Sequence, residues 1–180
     1  MDERIIVAGF GGQGVLSMGK TLAEAAMEEG REVTWLPSYG PEMRGGTSNC
    51  SVIISDKPIG APTISEGVAT CAIVLNKPSL DKFEHFVAPG GLLVINESLI
   101  DKKATRTDID VVYVKANDIS REAGTEKAAN MAMLGAYIGA RGVVKADTVL
   151  EQLAEVFGEA KKHLVEVNRK VIEGGIKAVS

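Results

Sequence analysis

Apolar residues in this chain fall into short runs broken by glycine and proline, and the rhythm changes in the last third. "RIIVAGF" (4–10) is a β-rich run ending in glycines and predicts a buried first strand. After Gly14, the apolar positions Val15, Leu16, Leu22, Ala23, Ala26 and Met27 recur at helical spacing, and Gly30 ends the segment. "EVTWLP" (32–37) predicts a second strand closed by Pro37, and "CSVIIS" (50–55) a third. Between them, "PSYGPEMRGGTSN" (37–49) holds too many Gly and Pro for regular structure. About a dozen non-helical residues join these two strands, whereas a parallel return needs a crossover helix, so the third strand is expected to run antiparallel. "CAIVL" (71–75) predicts a fourth strand, and "SLDKFEHF" (79–86) a short helix stopped by Pro89-Gly90-Gly91. "LLVIN" (92–96) and "DVVYVK" (110–115) predict further strands. The chain then turns helical in "AANMAMLGAYIGARG" (128–142), "DTVLEQLAEVFG" (147–158) and "HLVEVNRKVIEGGIKAV" (163–179).

Strands interleaved with helices, followed by helices alone, predict a three-layer α/β/α domain. Its sheet is expected to be mostly parallel but mixed, with a Rossmann-like first β-α unit and a helical C-terminal third. No repeat, linker or low-complexity segment interrupts residues 1–180, which are read as a single domain. The net charge of −4 and the scattered lysines and arginines argue against nucleic acid or an anionic membrane surface as partner. No apolar run reaches membrane-spanning length, and Met1-Asp2-Glu3-Arg4 leads directly into a strand pattern, so a cytoplasmic protein is expected. Cys50 and Cys71 form no C-x-x-C spacing and cannot supply the four thiolates of an iron–sulfur cluster. They read as small buried residues of a reducing compartment.

"GFGGQGVLSMGKT" (9–21) fits two phosphate-binding patterns at once. Gly9, Gly11 and Gly14 spell G-x-G-x-x-G, and Gly14, Gly19, Lys20 and Thr21 spell G-x-x-x-x-G-K-T. The second pattern fails on position. A helix starting near Gly14 puts Lys20 nearly two turns inside it, away from amides that could cradle phosphate, so Lys20 reads as a helix-surface residue. The first has the right order of strand, glycines and helix, which lets helix-start amides meet an anion. It lacks the acidic residue that a dinucleotide site carries at the end of its second strand, because that strand ends Trp35-Leu36-Pro37 and Glu32 stands at its beginning. Gly9, Gly11, Gly12, Gln13 and Gly14 are therefore candidates for an anion site, beside the alternative that the glycines only let strand and helix pack closely.

The second loop carries Tyr39, Glu42, Met43, Arg44, Thr47, Ser48 and Asn49 on a frame of Pro37, Gly40, Pro41, Gly45 and Gly46. Arg44 is the natural anchor for phosphate or carboxylate through its bidentate fork, or it pairs locally with Glu42. His85 and His163 lack metal-ligand companions, Met131 and Met133 read as core, and no nucleophile triad stands out. No metal site is expected.

Together the two loops, "GFGGQGV" and "PSYGPEMRGGTSNCSVIISDKPI", closely resemble the gamma subunit of 2-oxoacid:ferredoxin oxidoreductases, and "NMAMLGAYIG" (130–139) resembles that family's late helix. The wording "SYGPEMRGGTSN" is most similar to the 2-oxoglutarate branch, with branched-chain 2-oxoacids as neighbours. The resemblance implies a subunit of a multichain enzyme that converts a 2-oxoacid and coenzyme A to acyl-CoA and carbon dioxide and passes electrons to ferredoxin. It implies thiamine diphosphate bound by alpha and beta partners, and iron–sulfur clusters in beta and in delta where that fourth chain is present. This chain's share would be assembly and a wall of the coenzyme A or substrate entrance. Gly9, Gly11, Gly12, Gln13 and Gly14 of the first loop and Tyr39, Arg44, Gly45, Gly46 and Thr47 of the second would line it.

Overall fold

A computed structural model describes residues 1–38 and 47–180. Six strands and six helices follow in order: β1 (Asp2–Phe10), α1 (Val15–Glu28), β2 (Glu32–Pro37), β3 (Thr47–Ser55), β4 (Ala69–Val74), α2 (Lys77–Phe83), β5 (Val87–Asn96), β6 (Asp110–Val114), α3 (Ala116–Glu122), α4 (Ala129–Arg141), α5 (Ala146–Phe157) and α6 (His163–Lys177). The strands form one sheet in the order β2-β3-β1-β4-β5-β6. Only β3 runs against its neighbours, pairing antiparallel with β2 and β1, while β1, β4, β5 and β6 are parallel. The mixed sheet and the antiparallel third strand are as the sequence predicts.

Alternation along each strand assigns the two faces. Ile5 and Val7 of β1, Cys50, Val52 and Ile54 of β3, and Cys71 and Ile73 of β4 share one core with α1, α4, α5 and α6. The intervening residues Ile6, Ala8, Ile53, Ala72 and Val74 belong to a smaller core, closed by Leu80 and Phe83 of α2 and by Ile64 and Ile100 from loops. The three layers are thus unequal, with the helical C-terminal third massed on the face that also carries α1.

The strand order goes beyond the sequence reading, and two differences from it, at Pro89-Gly90-Gly91 and at α3, have local causes. β1 and β2 are not neighbours, because the short connection after Pro37 returns β3 beside β2, and β3 then occupies the place next to β1. Pro89-Gly90-Gly91 does not stop the short helix. α2 ends at Phe83, a single 3₁₀ turn follows at Glu84–Phe86, and the Pro-Gly-Gly lies inside β5. There Gly90 takes φ 78° and donates its N–H to the Asp108 carbonyl at 2.7 Å, where the β4–β5 register shifts. Helix α3 has no strong apolar period of its own. Its first turn is capped from a distance, by Ser98 Oγ accepting from the Asn117 N–H at 3.1 Å.

Close approach of α4 and α6 organises the helical face. A Cβ on Gly135 would overlap the Ile172 carbonyl oxygen, and one on Gly175 the Ala132 carbonyl oxygen, so both helices put bare backbone at their crossing. The small residues of "AANMAMLGAYIG" serve this packing, and Met133 is fully buried as expected for core.

Candidate functional site

The site grows from the end of β1. Beyond Phe10 the chain turns through Gly11–Gly14 and enters α1, whose cap residue Gly14 sits in the left-handed region at φ 73°. No side chain caps this helix, so its first N–H groups carry the positive end of the helix dipole without an internal anion. Gln13 does not offer its amide outward. Its Oε1 accepts the Phe10 N–H at 2.6 Å and its Nε2 donates to the Leu75 carbonyl at 3.5 Å, which staples the loop to the end of β4. Gly9 is glycine for the same reason: a Cβ there would lie 2.6 Å from Gln13 Oε1 and 2.9 Å from Val15 Cγ2. Gly11 faces open space and is not demanded by packing.

A cleft of about 550 Å³ opens at this helix start. One wall is Gly12, Gln13, Gly14, Ser17 and Thr21, and the opposite wall is Thr125–Ala128 with Asn130 and Met131 at the start of α4. Leu153, Val156 and Phe157 of α5 and Leu164 and Val167 of α6 make its apolar end, and Asn168 of α6 also lines the cleft. The volume is that of a small-molecule or cofactor site, and the mixture of apolar surface with a few polar groups fits one. Lys127 makes no ion pair among the described residues, whereas Glu126 is held by Arg121 at 3.1 Å. The cleft therefore presents a cation and an uncapped helix start together.

Of the residues singled out in the sequence, the structure brings Gly12, Gln13 and Gly14 to this cleft and leaves Gly9 and Gly11 outside its lining. Tyr39, Arg44, Gly45 and Gly46 lie outside the described residues, as does Glu42. Thr47 opens β3, its backbone paired with Phe10. The ends of β1 and β2 accordingly share one rim of the sheet, although β3 separates the strands. Asn130, Lys127, Thr21 and the α5–α6 apolar wall were missed. Lys127, Asn130 and the α5–α6 wall lie more than a hundred residues from the glycine loop, and no short motif links them to it; Thr21 stood in the G-x-x-x-x-G-K-T pattern and Asn130 in "NMAMLGAYIG", each noticed for another reason.

Lys20 points away from phosphate chemistry. It is exposed on α1 and pairs with Glu24 one turn on at 3.7 Å. Both cysteines are buried and unpaired. Burial pushes the Cys50 thiol from its ordinary value of 9.0 up to about 12, against a smaller opposing effect of Trp35, and burial pushes Cys71 up as well. Thiols held neutral on separate strands do not fit cluster ligation, which needs accessible thiolates. A folded-state value above the unfolded one means that this burial favours the native state below pH 9 and is lost as pH rises from 9 toward 12. Native protein at pH 8 is expected to resist iodoacetamide at both cysteines, with full labelling in denaturant; rapid native labelling would contradict the inert assignment. His85 stands 3.7 Å from Glu66, both exposed, and among the described residues no three His, Cys, Asp or Glu side chains gather as a metal site.

Residues 4–178 match the family described as pyruvate ferredoxin/flavodoxin oxidoreductase. The chain belongs to this family. Among its relatives, the ketoisovalerate oxidoreductase subunit VorA of Methanothermobacter marburgensis is 41% identical over 97% of this chain. This chain spans only 36% of that relative's length. The 2-oxoglutarate synthase subunit KorC of Methanocaldococcus jannaschii is 30% identical over 94% of this chain and 92% of its own. The keto/oxoacid ferredoxin oxidoreductase gamma subunit from Geobacter sulfurreducens superposes with a TM-score of 0.83 at 30% identity, covering 98% of both chains. A 2-oxoglutarate:ferredoxin oxidoreductase from Magnetococcus marinus, solved with 2-oxoglutarate, coenzyme A and succinyl-CoA bound, shares the fold at 20% identity and a TM-score of 0.88. This chain covers 31% of that longer one. The family match spans both loops, the cleft and the late helix, so the likeness seen in the motifs holds along nearly the whole chain. Among the described residues no helix is long and apolar enough to cross a membrane.

Proposed function

We propose that this chain is the gamma subunit of a multisubunit 2-oxoacid:ferredoxin oxidoreductase, and that residues 1–180 act in it as one domain. The enzyme would convert a 2-oxoacid, coenzyme A and oxidised ferredoxin to acyl-CoA, carbon dioxide and reduced ferredoxin in the cytoplasm. Alpha and beta partners would hold thiamine diphosphate, and beta, with delta where that chain is present, the iron–sulfur clusters, for which the two buried thiols of this chain are unsuited. The observation that carries the reading is the uncapped start of α1 opening on the cleft with Lys127 beside it. Such a site suits the pyrophosphate of coenzyme A, which makes no demand for the ribose acid of a dinucleotide site. Gly12 and Gly14 would let the backbone approach the phosphates, Gln13 would hold the loop, and Arg44 with Tyr39, Gly45, Gly46 and Thr47 would close over the same rim. The higher identity to the ketoisovalerate chain than to the 2-oxoglutarate chain, 41% against 30%, favours a branched-chain 2-oxoacid over 2-oxoglutarate.

Calorimetry on the isolated chain with coenzyme A, NAD and ATP tests this reading. Heat with coenzyme A alone is expected, from a colourless protein without 2-oxoacid-dependent dye reduction. Lys20→Ala should leave that binding unchanged, since Lys20 is a surface residue of α1. ATP binding lost in Lys20→Ala would establish a nucleotide enzyme instead, and no binding with intact partner capture would leave an assembly module. In the assembled enzyme, Arg44→Ala should raise the coenzyme A KM by about tenfold or more, the loss of one charge-assisted hydrogen bond of roughly 1.5–3 kcal/mol. An unchanged KM would assign Arg44 to its pairing with Glu42 or to a subunit contact.

A further inference from the structure

We propose that Asn130 is the positioning residue of the glycine loop, holding Gly14 so that the α1 amides face the cleft and coenzyme A affinity depends on it. This rests on the coenzyme A reading above. Asn130 is 8% exposed and both ends of its side-chain amide are committed. Oδ1 accepts the Met131 N–H at 3.0 Å, and Nδ2 donates to the Gly14 carbonyl at 3.1 Å. The first bond decides the second: a flipped amide would set a donor against the Met131 N–H and an acceptor against the Gly14 oxygen.

Gly14 O is the hinge of the loop. It also accepts the Met18 N–H at 2.9 Å, the first bond of α1, and Ser17 Oγ at 3.2 Å. Gly14 C=O and Val15 N–H belong to one planar trans peptide and point in opposite directions. Fixing the carbonyl toward α1 and Asn130 therefore fixes the Val15 N–H away from the helix body, at its open start. Gly14 has no Cβ to restrain its left-handed backbone, and a Cβ there would overlap Asn130 Nδ2. A side chain from the late helix thus adds a restraint at Gly14 to those that Gln13 and Ser17 supply locally. A free-energy cost of ordering that would otherwise fall on ligand binding is met during folding.

Asn130→Ser is the informative variant, because its hydroxyl still serves the Met131 N–H but does not reach Gly14; Asn130→Ala is the second. Thermal midpoints confirm that both fold. Amide hydrogen exchange over Gly12–Ser17 in the chain should speed up in both. In the assembled enzyme the coenzyme A KM should rise about fivefold to tenfold, one net hydrogen bond, with kcat at saturating coenzyme A and the 2-oxoacid KM unchanged. Lys127→Glu, at the cleft mouth, reports separately on whether coenzyme A occupies the cleft. Unchanged loop exchange overturns the proposal, and so does an unchanged coenzyme A KM in the Asn130 variants when Lys127→Glu raises it. If Lys127→Glu also leaves that KM unmoved, the coenzyme A reading fails and, with it, the dependence proposed for Asn130.

Discussion

Gly175→Ala is expected to destabilise the chain by roughly 3 kcal/mol, at the upper end of what overpacking costs. The new methyl group would overlap the Ala132 carbonyl oxygen and lie 2.9 Å from the Ala136 nitrogen. Neither obstacle is a side chain that can rotate aside, so α4 and α6 must separate. Gly135→Ala meets the Ile172 carbonyl from the other side of the same crossing and should behave alike. The better helix propensity of alanine returns at most about 1 kcal/mol. For a chain of this size the net loss of about 2–3 kcal/mol corresponds to a fall in Tm of about 4–12 °C. Gly174→Ala is the internal control: its methyl group would meet Ile119 Cγ2 at 2.6 Å, the tip of a side chain that can shift, and its Tm should stay within a few degrees of the parent's. Scanning calorimetry of the three variants decides it. Equal behaviour of Gly174→Ala and Gly175→Ala would show that helix flexibility, not backbone contact, governs this position. α6 also carries Leu164 and Asn168 to the cleft, so coenzyme A binding should weaken in Gly175→Ala but not in Gly174→Ala.

Glu84→Ala should cost about 3 kcal/mol by a different route, the loss of an acceptor. Glu84 is buried in the 3₁₀ turn, and a single carboxylate oxygen receives the Thr105 N–H at 2.5 Å, the Arg106 N–H at 3.0 Å and Thr105 Oγ1 at 3.2 Å. Arg106 in turn donates to the Glu84 carbonyl and pairs through two bonds with Asp108. This knot pins the segment that brings Ile100, Ala104 and Ile109 against the smaller core. Alanine leaves two backbone donors without their acceptor. Glutamine keeps a carbonyl oxygen in reach, so Glu84→Gln should lose about 1 kcal/mol, the difference between a charged and a neutral acceptor. Urea unfolding midpoints measure both, and a Glu84→Ala midpoint equal to the parent's would show that the segment does not depend on this oxygen.

Much of the fold was legible because its signals are local. β2 matches "EVTWLP" residue for residue, α1 begins one residue after Gly14, and the three late helices fall within two residues of their apolar periods. Where reading failed, the deciding contact lay elsewhere in the chain. Pro89-Gly90-Gly91 carries a breaker signature, yet the pairing of Gly90 with Asp108 keeps it inside a strand. α3 owes its first turn to Ser98. Gln13 looked like a ligand amide by composition, and only the positions of Phe10 and Leu75 show that both its ends serve the loop.

The sequence alone determined the layer architecture, the reversed third strand, the buried cysteines and the place of Lys20 inside a helix, since periodicity, connection length and motif spacing are properties of the chain taken in order. It also placed the glycine loop at a helix start, because strand, turn and helix are contiguous there. The tertiary structure decided what faces that loop. It put β3 between β1 and β2, brought Lys127 and Asn130 across from Gly14, and closed the cleft with α5 and α6. Asn130 and Gly14 are 116 residues apart, and no local preference encodes their meeting. It follows from the packing of α4 and α1 into one core on the same face of the sheet, which sets the start of one helix against the start of the other.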